Sequence, residues 1–495
     1  MTELSIKKPV VPFLWLLAAI CLLYPTEAYA SAQQQSTSQS DIKSEAKDST
    51  IVARIAYYTI TKDELEKRLM TELYPYGYDY YDENAEPVNA KSMLTEMVAE
   101  KAMIMQARAQ GYPEKEDIRD SVERFKERGL VKLLVQKYME GKINVTEDEI
   151  KRKMQANPKL DKARAKAMVE REKSYALLDQ YYKQIYLKSG VKKLSRNYPR
   201  VIEIHERLLN RPKKSRKVSW IQTSQVREEL TEEEKNIVLA QYNAGRITLK
   251  EWFEALCDIV PPRRPRDLNT PKGVEQLLER AMRMPLLVSE AKRLRLDKNQ
   301  DLIKQVRDYE DRRLLGEIKS AKRKELKEPT TEQIITYFSK HKEAFGTSKS
   351  LKIDQIWCQD LKTAKQVKAA LESSKDFEGV RQKYSLEKEG KPFTTHPSSE
   401  GLFWKDLWAG DPNSIIGPVK GFYRQGIKWR IVKILEKTPG REKPYSSNMA
   451  QQVKNRMMSE QYEALIDQYS KELLDKYPYQ IYGDKIKDIN PLNIL

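Results

Sequence analysis

The chain contains the same helical module twice, and the second copy is interrupted. Matching residues recur 184 positions apart, as in the pairs Leu94 and Leu278, Ala107 and Ala291, Ile118 and Leu302, Leu130 and Leu314, and Leu134 and Ile318. Further along, residues 176–181 read ALLDQY and residues 464–469 read ALIDQY, which are 288 positions apart. The offset therefore grows by 104 residues. Because a segment of that size can form a small domain, the sequence predicts a domain inserted into the second copy between about Lys340 and Pro444.

The modules themselves are predicted to be helical. In a capping box, a Thr and a Glu or Gln three residues later satisfy amide groups at a helix start. Four segments have this form: Thr61–Glu64, Thr146–Glu149, Thr248–Glu251 and Thr330–Gln333. Apolar residues recur between them at three- and four-residue spacing, as at Leu94, Val98 and Ala102, which is typical of amphipathic helices. Short β-prone pieces are expected at Ile51–Ile55 and Val201–Ile204.

These patterns predict a mostly α fold with two helical modules, the second interrupted by a small α/β domain. The predicted order is a signal peptide at 1–30, a flexible polar segment at 31–50, the first module at 51–200, the N-terminal part of the second module at 201–340, the inserted domain at 341–440, and a C-terminal helix at 441–495 that completes the second module. Helices at Leu277–Leu294 and Met449–Leu473 should then share one core.

The first thirty residues have the pattern of a secretory signal. Lys7 and Lys8 precede an apolar stretch at Val10–Leu23, and Ala28–Ala30 has the small-x-small form of a signal-peptidase site. Cleavage after Ala30 and export to the periplasm or another extracytoplasmic space are therefore expected. A lipid on Cys21 is the first alternative, although Ile20 stands where a small residue is preferred. An uncleaved anchor is the second, although the apolar run is short for a membrane span.

The chain is strongly basic, with a formal net charge of +18 and 33% charged residues. Such a charge can indicate nucleic acid or an anionic surface as partner, but no recognition motif with interleaved aromatic residues is present. We therefore expect no nucleic acid. A solvated helical surface, acidic client segments and an anionic membrane surface remain as explanations. With three histidines and no ligand-spaced cluster, the sequence predicts no metal and no cofactor, and it leaves open whether Cys257 and Cys358 form a disulfide.

The insertion has a mixed α/β pattern. Strands are predicted at Leu351–Cys358 and Trp429–Leu435, a shorter strand at Ile415–Val419, and helices at Lys362–Ser373 and Asp376–Ser385. Together with the segments Gly401-Leu402-Phe403-Trp404 and Gly417-Pro418-Val419, this arrangement resembles a parvulin-type peptidyl-prolyl isomerase domain. The flanking modules resemble the chaperone core of the SurA and PrsA families, in which a helix from beyond the inserted domain packs on the N-terminal segment. The resemblance implies a chaperone whose partners are unfolded exported or outer-membrane-type proteins.

The inserted domain departs from the family at the positions that matter for catalysis. Active parvulin domains resemble one another in a histidine on the first strand and another on the last, where this chain has Gln355 and Arg430. His396 lies in a loop that matches neither position, and the segment 405–416 is too short for the usual pocket-lining helix. The resemblance therefore implies a degenerate domain without catalytic residues. As a permanent cation, Arg430 is expected to favour acidic client segments.

Aromatic residues are the remaining candidates for substrate binding. Five lie in the inserted domain: Trp357, Phe403, Trp404, Trp408 and Trp429. Another five crowd one stretch of the first module: Tyr74, Tyr76, Tyr78, Tyr80 and Tyr81. Rigid amphipathic rings suit weak contact with extended chains. The alternative is that the tryptophans form the core of the small domain.

Three functions follow from these patterns. The first is an exported, ATP-independent holdase that binds unfolded or extended polypeptides through a chain whose parvulin-like domain is inactive. The second is an active peptidyl-prolyl cis-trans isomerase with unusual pocket residues. The third is a structural or scaffold protein of the cell envelope that reuses the fold. The holdase should suppress aggregation of a client, the isomerase should catalyse prolyl isomerisation, and the scaffold protein should do neither but bind one partner tightly.

Overall fold

The computed structural model describes residues 50–73, 89–210, 220–374, 376–424 and 426–493. The predicted signal peptide with Cys21 and the tyrosine-rich stretch Tyr74–Tyr81 lie outside these ranges. Within them, none of the helices combines the length and apolarity that a membrane crossing requires. The described residues form two units: unit 1 comprises Glu116–Glu310, and unit 2 comprises residues 50–115 and 311–493.

The two repeats contain the same elements in the same order. The first repeat consists of β1 Ile51–Ile55, β2 Tyr58–Thr61, α1 Lys62–Leu73, α2 Ala90–Ala109, α3 Glu116–Met139, α4 Glu147–Ala156, α5 Lys162–Lys188 and β3 Lys192–Lys193. The connecting helices are α6 Tyr198–Leu209, α7 Thr223–Glu229 and α8 Glu232–Lys235. The second repeat begins with β4 Val238–Tyr242, β5 Gly245–Thr248, α9 Leu249–Cys257, α10 Pro271–Arg293, α11 Gln300–Arg323 and α12 Thr331–Lys340.

The inserted domain follows α12, and the second repeat resumes after it. The domain consists of β6 Ser350–Cys358, α13 Leu361–Ser374, α14 Phe377–Tyr384, β7 Phe393–Thr395, α15 Pro397–Glu400, α16 Trp404–Trp408, β8 Ile415–Tyr423 and β9 Gly426–Thr438. The resumed repeat consists of α17 Ser447–Lys476 and β10 Tyr479–Ile481. The fold is therefore mostly α with a small α/β domain, as predicted.

All four predicted capping boxes are present. At the start of α4, the Thr146 amide donates to Glu149 Oε2 at 2.9 Å, and the Glu149 amide donates to Thr146 Oγ1 at 3.4 Å. One β-prone segment was predicted wrongly, because Val201–Ile204 lies inside α6. Val201, Ile204 and Leu208 are buried at helical spacing, and a short apolar run fits a strand and a buried helix equally well.

Unit 1 combines pieces of both repeats around one core. The helices α3, α5 and α6 of the first half pack with β4, β5, α9 and α10 of the second. Buried side chains include Leu130, Leu134 and Ile185 on one side and Trp252, Leu277 and Leu286 on the other. The Trp252 indole N–H donates to the Val274 carbonyl at 3.0 Å, which satisfies its polar group in the core.

Unit 2 combines the complementary pieces. Strand β1 pairs with β2 on one side and with β10 on the other, and α17 packs against α2. Lys476 Nζ and the Tyr477 hydroxyl donate to Gln106 Oε1 at 2.8 and 2.9 Å. The structure thus assembles the modules differently from the prediction. The helices expected at Leu277–Leu294 and Met449–Leu473 belong to different units, and the C-terminal helix completes the beginning of the chain.

The inserted domain is built on a four-stranded antiparallel sheet in the order β7-β6-β9-β8. Helices α13 and α14 cover one face, over buried Ile356, Cys358 and Ile431. Helix α16 covers the other face, over Leu351, Ile353, Val432 and Ile434. The amide of Thr347 donates to the Arg441 carbonyl at 2.7 Å, which brings the two ends of the domain together. Cys257 and Cys358 are both free thiols.

Candidate functional site

The two positions at which catalytic histidines are predicted to be replaced lie on the sheet face that carries α16. Gln355 is on β6 and Arg430 on β9, in adjacent strands, with Trp357 directly opposite Arg430 in the register. Because alternate residues of a strand point to the same face, Gln355, Trp357 and Arg430 share one face. The fold therefore places Gln355 and Arg430, the two positions predicted to replace histidines, on adjacent strands and on one face of the sheet.

Arg430 is held there by a buried hydrogen-bond network. One guanidinium nitrogen, Nη1, donates to Gln355 Oε1 at 2.9 Å, and Nη2 donates to Glu400 Oε2 at 2.5 Å. The Thr395 hydroxyl donates to the other Glu400 oxygen at 2.7 Å. The exposed fractions of the Arg430 and Glu400 side chains are 2% and 7%. A buried charge is tolerated when it is paired and hydrogen-bonded, and Glu400 supplies that pairing.

Neighbouring residues fill the space around the guanidinium. The Trp357 ring centroid lies 5.0 Å from the Arg430 guanidinium carbon, within cation–π range. On β8, a Cβ added to Gly421 would lie 2.4 Å from Arg430 Nε, so only glycine leaves room for the arginine. The guanidinium is therefore packed between a ring and a strand rather than open to a ligand.

This geometry corrects the expectation that Arg430 attracts acidic clients. Its charge is compensated by Glu400, which the sequence reasoning missed together with Thr395. Glu400 lies 30 positions before Arg430, at the end of the four-residue helix α15. The need of a buried arginine for a carboxylate partner is foreseeable, but one acid among many gives no indication that it is the partner.

A second buried arginine lies on α14. Arg381 donates to the Asp354 carboxylate on β6 and to the Gly390 carbonyl, and it lies 3.0 Å from Glu378. Beside it opens a cleft of about 550 Å³, lined by Asp354, Gln355, Glu387 to Lys391, and Phe393. The cleft has charged walls and one exposed ring, because 40% of Phe393 is exposed. Of the pair Gln355 and Arg430, Gln355 is the one that lines this cleft.

The five aromatic candidates divide by burial. Trp357, Phe403 and Trp404 are buried, with 4%, 2% and 0% of their surface exposed, which agrees with a role in the core of the domain. Trp408 and Trp429 are half-buried. Lys437 Nζ lies 4.4 Å from the Trp408 ring centroid, and Lys420 Nζ lies 5.2 Å from that of Trp429. Of the five, only these two rings offer appreciable surface to a client, and their role in binding stays a prediction.

The histidines have other surroundings. His396 is half-buried before α15, with Nδ1 3.3 Å from the Lys349 carbonyl oxygen. His205 is buried in unit 1 beside Trp252 and Phe253, and His341 stacks on Tyr337 at 4.3 Å between ring centroids. Burial raises the pKa of the Cys358 thiol to about 12, which leaves it protonated and unreactive near neutral pH. Within the described ranges, no group of three or more His, Cys, Asp or Glu side chains is placed to hold a metal ion.

A junction between the inserted domain and the rest of unit 2 was not predicted. Leu73 on α1 packs with Phe403 and Ile427 in one apolar cluster, which Leu492 also contacts. Lys420 Nζ donates to the Leu492 carbonyl and to Asn493 Oδ1, both at 2.8 Å. The pattern of α1 alone could not reveal this contact, because its partners lie more than 300 positions further along the chain.

Comparisons with known proteins give structural similarities only. No protein-family model and no curated protein matches the chain. Among solved structures, the chain is similar to a SurA-like chaperone from Campylobacter jejuni, described with PEB4 and Cj1289, at 14% identity and a TM-score of 0.25, covering 50% of this chain and 100% of that one. It is also similar to the foldase protein PrsA from Streptococcus pneumoniae, at 16% identity and a TM-score of 0.24, covering 38% of this chain and 73% of that one. PrsA from Bacillus subtilis matches at 17% identity and a TM-score of 0.17, covering 49% and 93%.

Proposed function

We propose that this chain is an exported, ATP-independent chaperone that binds unfolded or extended polypeptides, and that its inserted domain does not catalyse prolyl isomerisation. The observation that carries the proposal is the buried network of Arg430 with Glu400 and Gln355. The chaperone role is supported by the duplicated helical module with its inserted domain, an organisation that resembles SurA and PrsA. The clients would be exported or outer-membrane-type proteins, and the net charge of +18 suits an additional contact with an anionic membrane surface.

We expect no isomerase activity because the polar side chains of the network are already hydrogen-bonded to one another. An X-Pro amide rotates across a barrier of about 18–20 kcal/mol, and an isomerase lowers it by binding the twisted amide better than either planar form. That requires polar groups free to face the amide. Arg430 and Gln355 are hydrogen-bonded to each other, and Arg430 is also paired with Glu400. Breaking a buried ion pair costs about 3–5 kcal/mol, which offsets any gain that the guanidinium could offer a substrate.

Clients would instead bind to aromatic side chains that remain accessible on the inserted domain. Trp408 and Trp429 each have a lysine ammonium beside the ring, which combines apolar and cationic character. Phe393 adds an exposed ring at the cleft beside Gln355. Such amphipathic surfaces tolerate many sequences, as a chaperone for varied clients requires.

The test measures both activities on the full-length protein. Uncatalysed prolyl isomerisation takes tens of seconds at about 25 °C, so acceleration of a short proline peptide is easily detected, and we expect none. At near-stoichiometric amounts, the same preparation should suppress aggregation of an unfolded client. Acceleration in proportion to protein concentration would instead establish the isomerase, and a protein with neither activity would favour the scaffold.

A matched pair of variants locates the client surface. Trp408→Ser combined with Trp429→Ser should weaken the suppression of aggregation, whereas Trp220→Ser in unit 1, at a residue that is 38% exposed, should not. Helical circular dichroism checks that both variants fold. Equal suppression by the double variant and the control would remove these two rings from the proposal. Added salt should also weaken capture if the net charge contributes, because salt screens exposed charges.

A further inference from the structure

The described chain divides at residues 211–219 into two halves of related structure. The N-half is residues 50–210 and the C-half is residues 220–493. In unit 1, α3, α5, β3 and α6 come from the N-half, and β4, β5, α9 and α10 come from the C-half. In unit 2, β1, β2, α1 and α2 come from the N-half, and α12, α17 and β10 come from the C-half. Each unit is therefore assembled from both halves.

The same strand pairing joins the halves in both units. In unit 2, Ala53 of the N-half pairs with Ile481 of the C-half. In unit 1, Ala240 of the C-half pairs with Lys193 of the N-half. Ala53 and Ala240 follow the same irregularity in their hairpins, and Lys193 and Ile481 are 288 positions apart, the offset of the second match between the repeats. One interface is thus made twice, with the roles of the halves reversed.

Charged contacts across the halves repeat the exchange. In unit 2, Asp311 of the C-half accepts hydrogen bonds from Arg108 and from the Tyr58 hydroxyl of the N-half, each at 2.9 Å. Glu127 and Lys292 are the repeat equivalents of Asp311 and Arg108, each 184 positions away, and they interact electrostatically in unit 1. Lys193 of the N-half also lies 2.7 Å from Glu275 of the C-half. Each half therefore contributes both carboxylates and cations to contacts with the other half.

Two equivalent residues of the repeats stack on each other. Phe125 on α3 and Tyr309 on α11 are 184 positions apart, and their rings lie 4.2 Å apart at 5° within unit 1. In an isologous interface, the same patch of two related copies meets itself, so contact between equivalent residues is expected. The repeats meet in the way that two subunits of a symmetric dimer do.

We propose that the N-half and the C-half are obligate partners, so that the protein is a covalently joined dimer of two related halves. Each half alone would expose the edge of its strand hairpin and the apolar side chains of its helices. Both surfaces fit one partner, which is the other half. Once the halves have associated, residues 211–219 are dispensable for holding them together. This proposal is independent of the proposed function.

The first experiment cuts the folded protein. A specific protease site replaces residues 212–217 in the full-length chain, and the purified protein is cleaved to completion. The two fragments should co-elute in size-exclusion chromatography at the volume of the uncut protein and separate only in denaturant. The uncut variant is the control for the replacement of residues 212–217 by the protease site. Fragments that separate in native buffer would overturn the proposal.

The second experiment fixes the contact between equivalent residues. Phe125→Cys combined with Tyr309→Cys in the cleavable chain is treated with a short bis-maleimide, cut and run on a denaturing gel. The fragments should remain joined in the double variant and separate in each single variant, which share the native cysteines Cys21, Cys257 and Cys358 of the full-length sequence. Fragments of the double variant that separate as fully as those of the single variants would contradict the contact. The cleavage experiment, which leaves both rings in place, decides the proposal if the cysteine pair disturbs folding.

Discussion

The hydrogen bonds of single residues were predictable where both partners lie close together in the sequence. The four capping boxes join residues three positions apart, and all four are present. The buried charges were not predictable, because Glu400 and Arg430 lie 30 positions apart and Arg108 and Asp311 lie 203 positions apart. Burial also reversed the role assigned to Arg430, which is a compensated structural cation instead of a binding charge.

Glu400→Gln tests the compensation of Arg430. The amide still accepts hydrogen bonds but leaves the buried guanidinium without a counter-charge, so the free energy of unfolding should fall by roughly 3 kcal/mol. Urea unfolding of the purified protein measures the change, with the exposed Glu436→Gln on the same strand as Arg430 as control. Arg430→Met combined with Glu400→Leu should recover most of the loss, because an apolar pair of similar size can replace a buried ion pair. Equal stability of Glu400→Gln and Glu436→Gln would show that the charge of Glu400 is not needed.

His205 predicts a pH dependence of stability. Burial beside Trp252 and Phe253 lowers the pKa of its imidazole, and the positive charge of Arg264 lowers it further. The folded state therefore takes up a proton at His205 only at a lower pH than the unfolded chain, whose histidines titrate near pH 6.5. The unfolded state binds more protons below that pH, so stability is fully present above about pH 6.5 and declines as the pH falls below it. The urea midpoint of unfolding is measured between pH 8 and pH 5. Its decrease toward low pH should be smaller in His205→Leu than in wild type and unchanged in His341→Gln. An equal decrease in wild type and His205→Leu would refute the assignment.

At the scale of elements, long periodic helices and alternating strands were predictable, and short pieces were not. The strands β6, β8 and β9 of the inserted domain overlap the three predicted segments. The strand β7 of the same domain was not predicted, and neither were β3 and β10, because two or three residues are too few for a pattern. The strands β3 and β10 exist because a hairpin from the other half pairs with them. The packing of α1 on the inserted domain likewise depends on distant residues. Elements defined by their own sequence were predictable, and those defined by a partner were not.

Leu73→Ala tests the junction between α1 and the inserted domain. Leu73 is buried with Phe403 and Ile427, and truncating a buried leucine typically costs about 2–5 kcal/mol through lost burial and a cavity. Amide hydrogen exchange should accelerate in residues 401–403 and 422–424 and stay unchanged in α10 of unit 1. Leu187→Ala, at a residue that is 79% exposed, is the control. Unchanged exchange around Phe403 in Leu73→Ala would show that the junction does not hold the domain.

At the scale of the whole molecule, the repeat predicted two modules and an insertion but did not predict how the pieces combine. Equivalent segments such as α10 and the helix α2 present the same kind of apolar face, so either could receive the C-terminal helix. Sequence periodicity is the same in both arrangements. The choice is made by contacts such as Gln106 with Lys476 and Tyr477, which have no counterpart in a local pattern. The fold class was therefore predictable, and the exchange of pieces was not.

Deleting residues 348–440 and joining the ends with a short Gly/Ser bridge tests the insertion as a separable domain. The Thr347 amide and the Arg441 carbonyl are already 2.7 Å apart, so a short bridge spans the gap without strain. The apolar contacts of Phe338 with Met449 and Val453 stay in place. We expect a single thermal transition and retained helical circular dichroism, at a lower midpoint because Met70 and Leu73 lose their partners. Adding Met70→Ser and Leu73→Ser should reduce aggregation of the shortened protein by removing that exposed apolar surface. Loss of the thermal transition in both versions would mean that the inserted domain is part of the core of unit 2 and not an insertion into it.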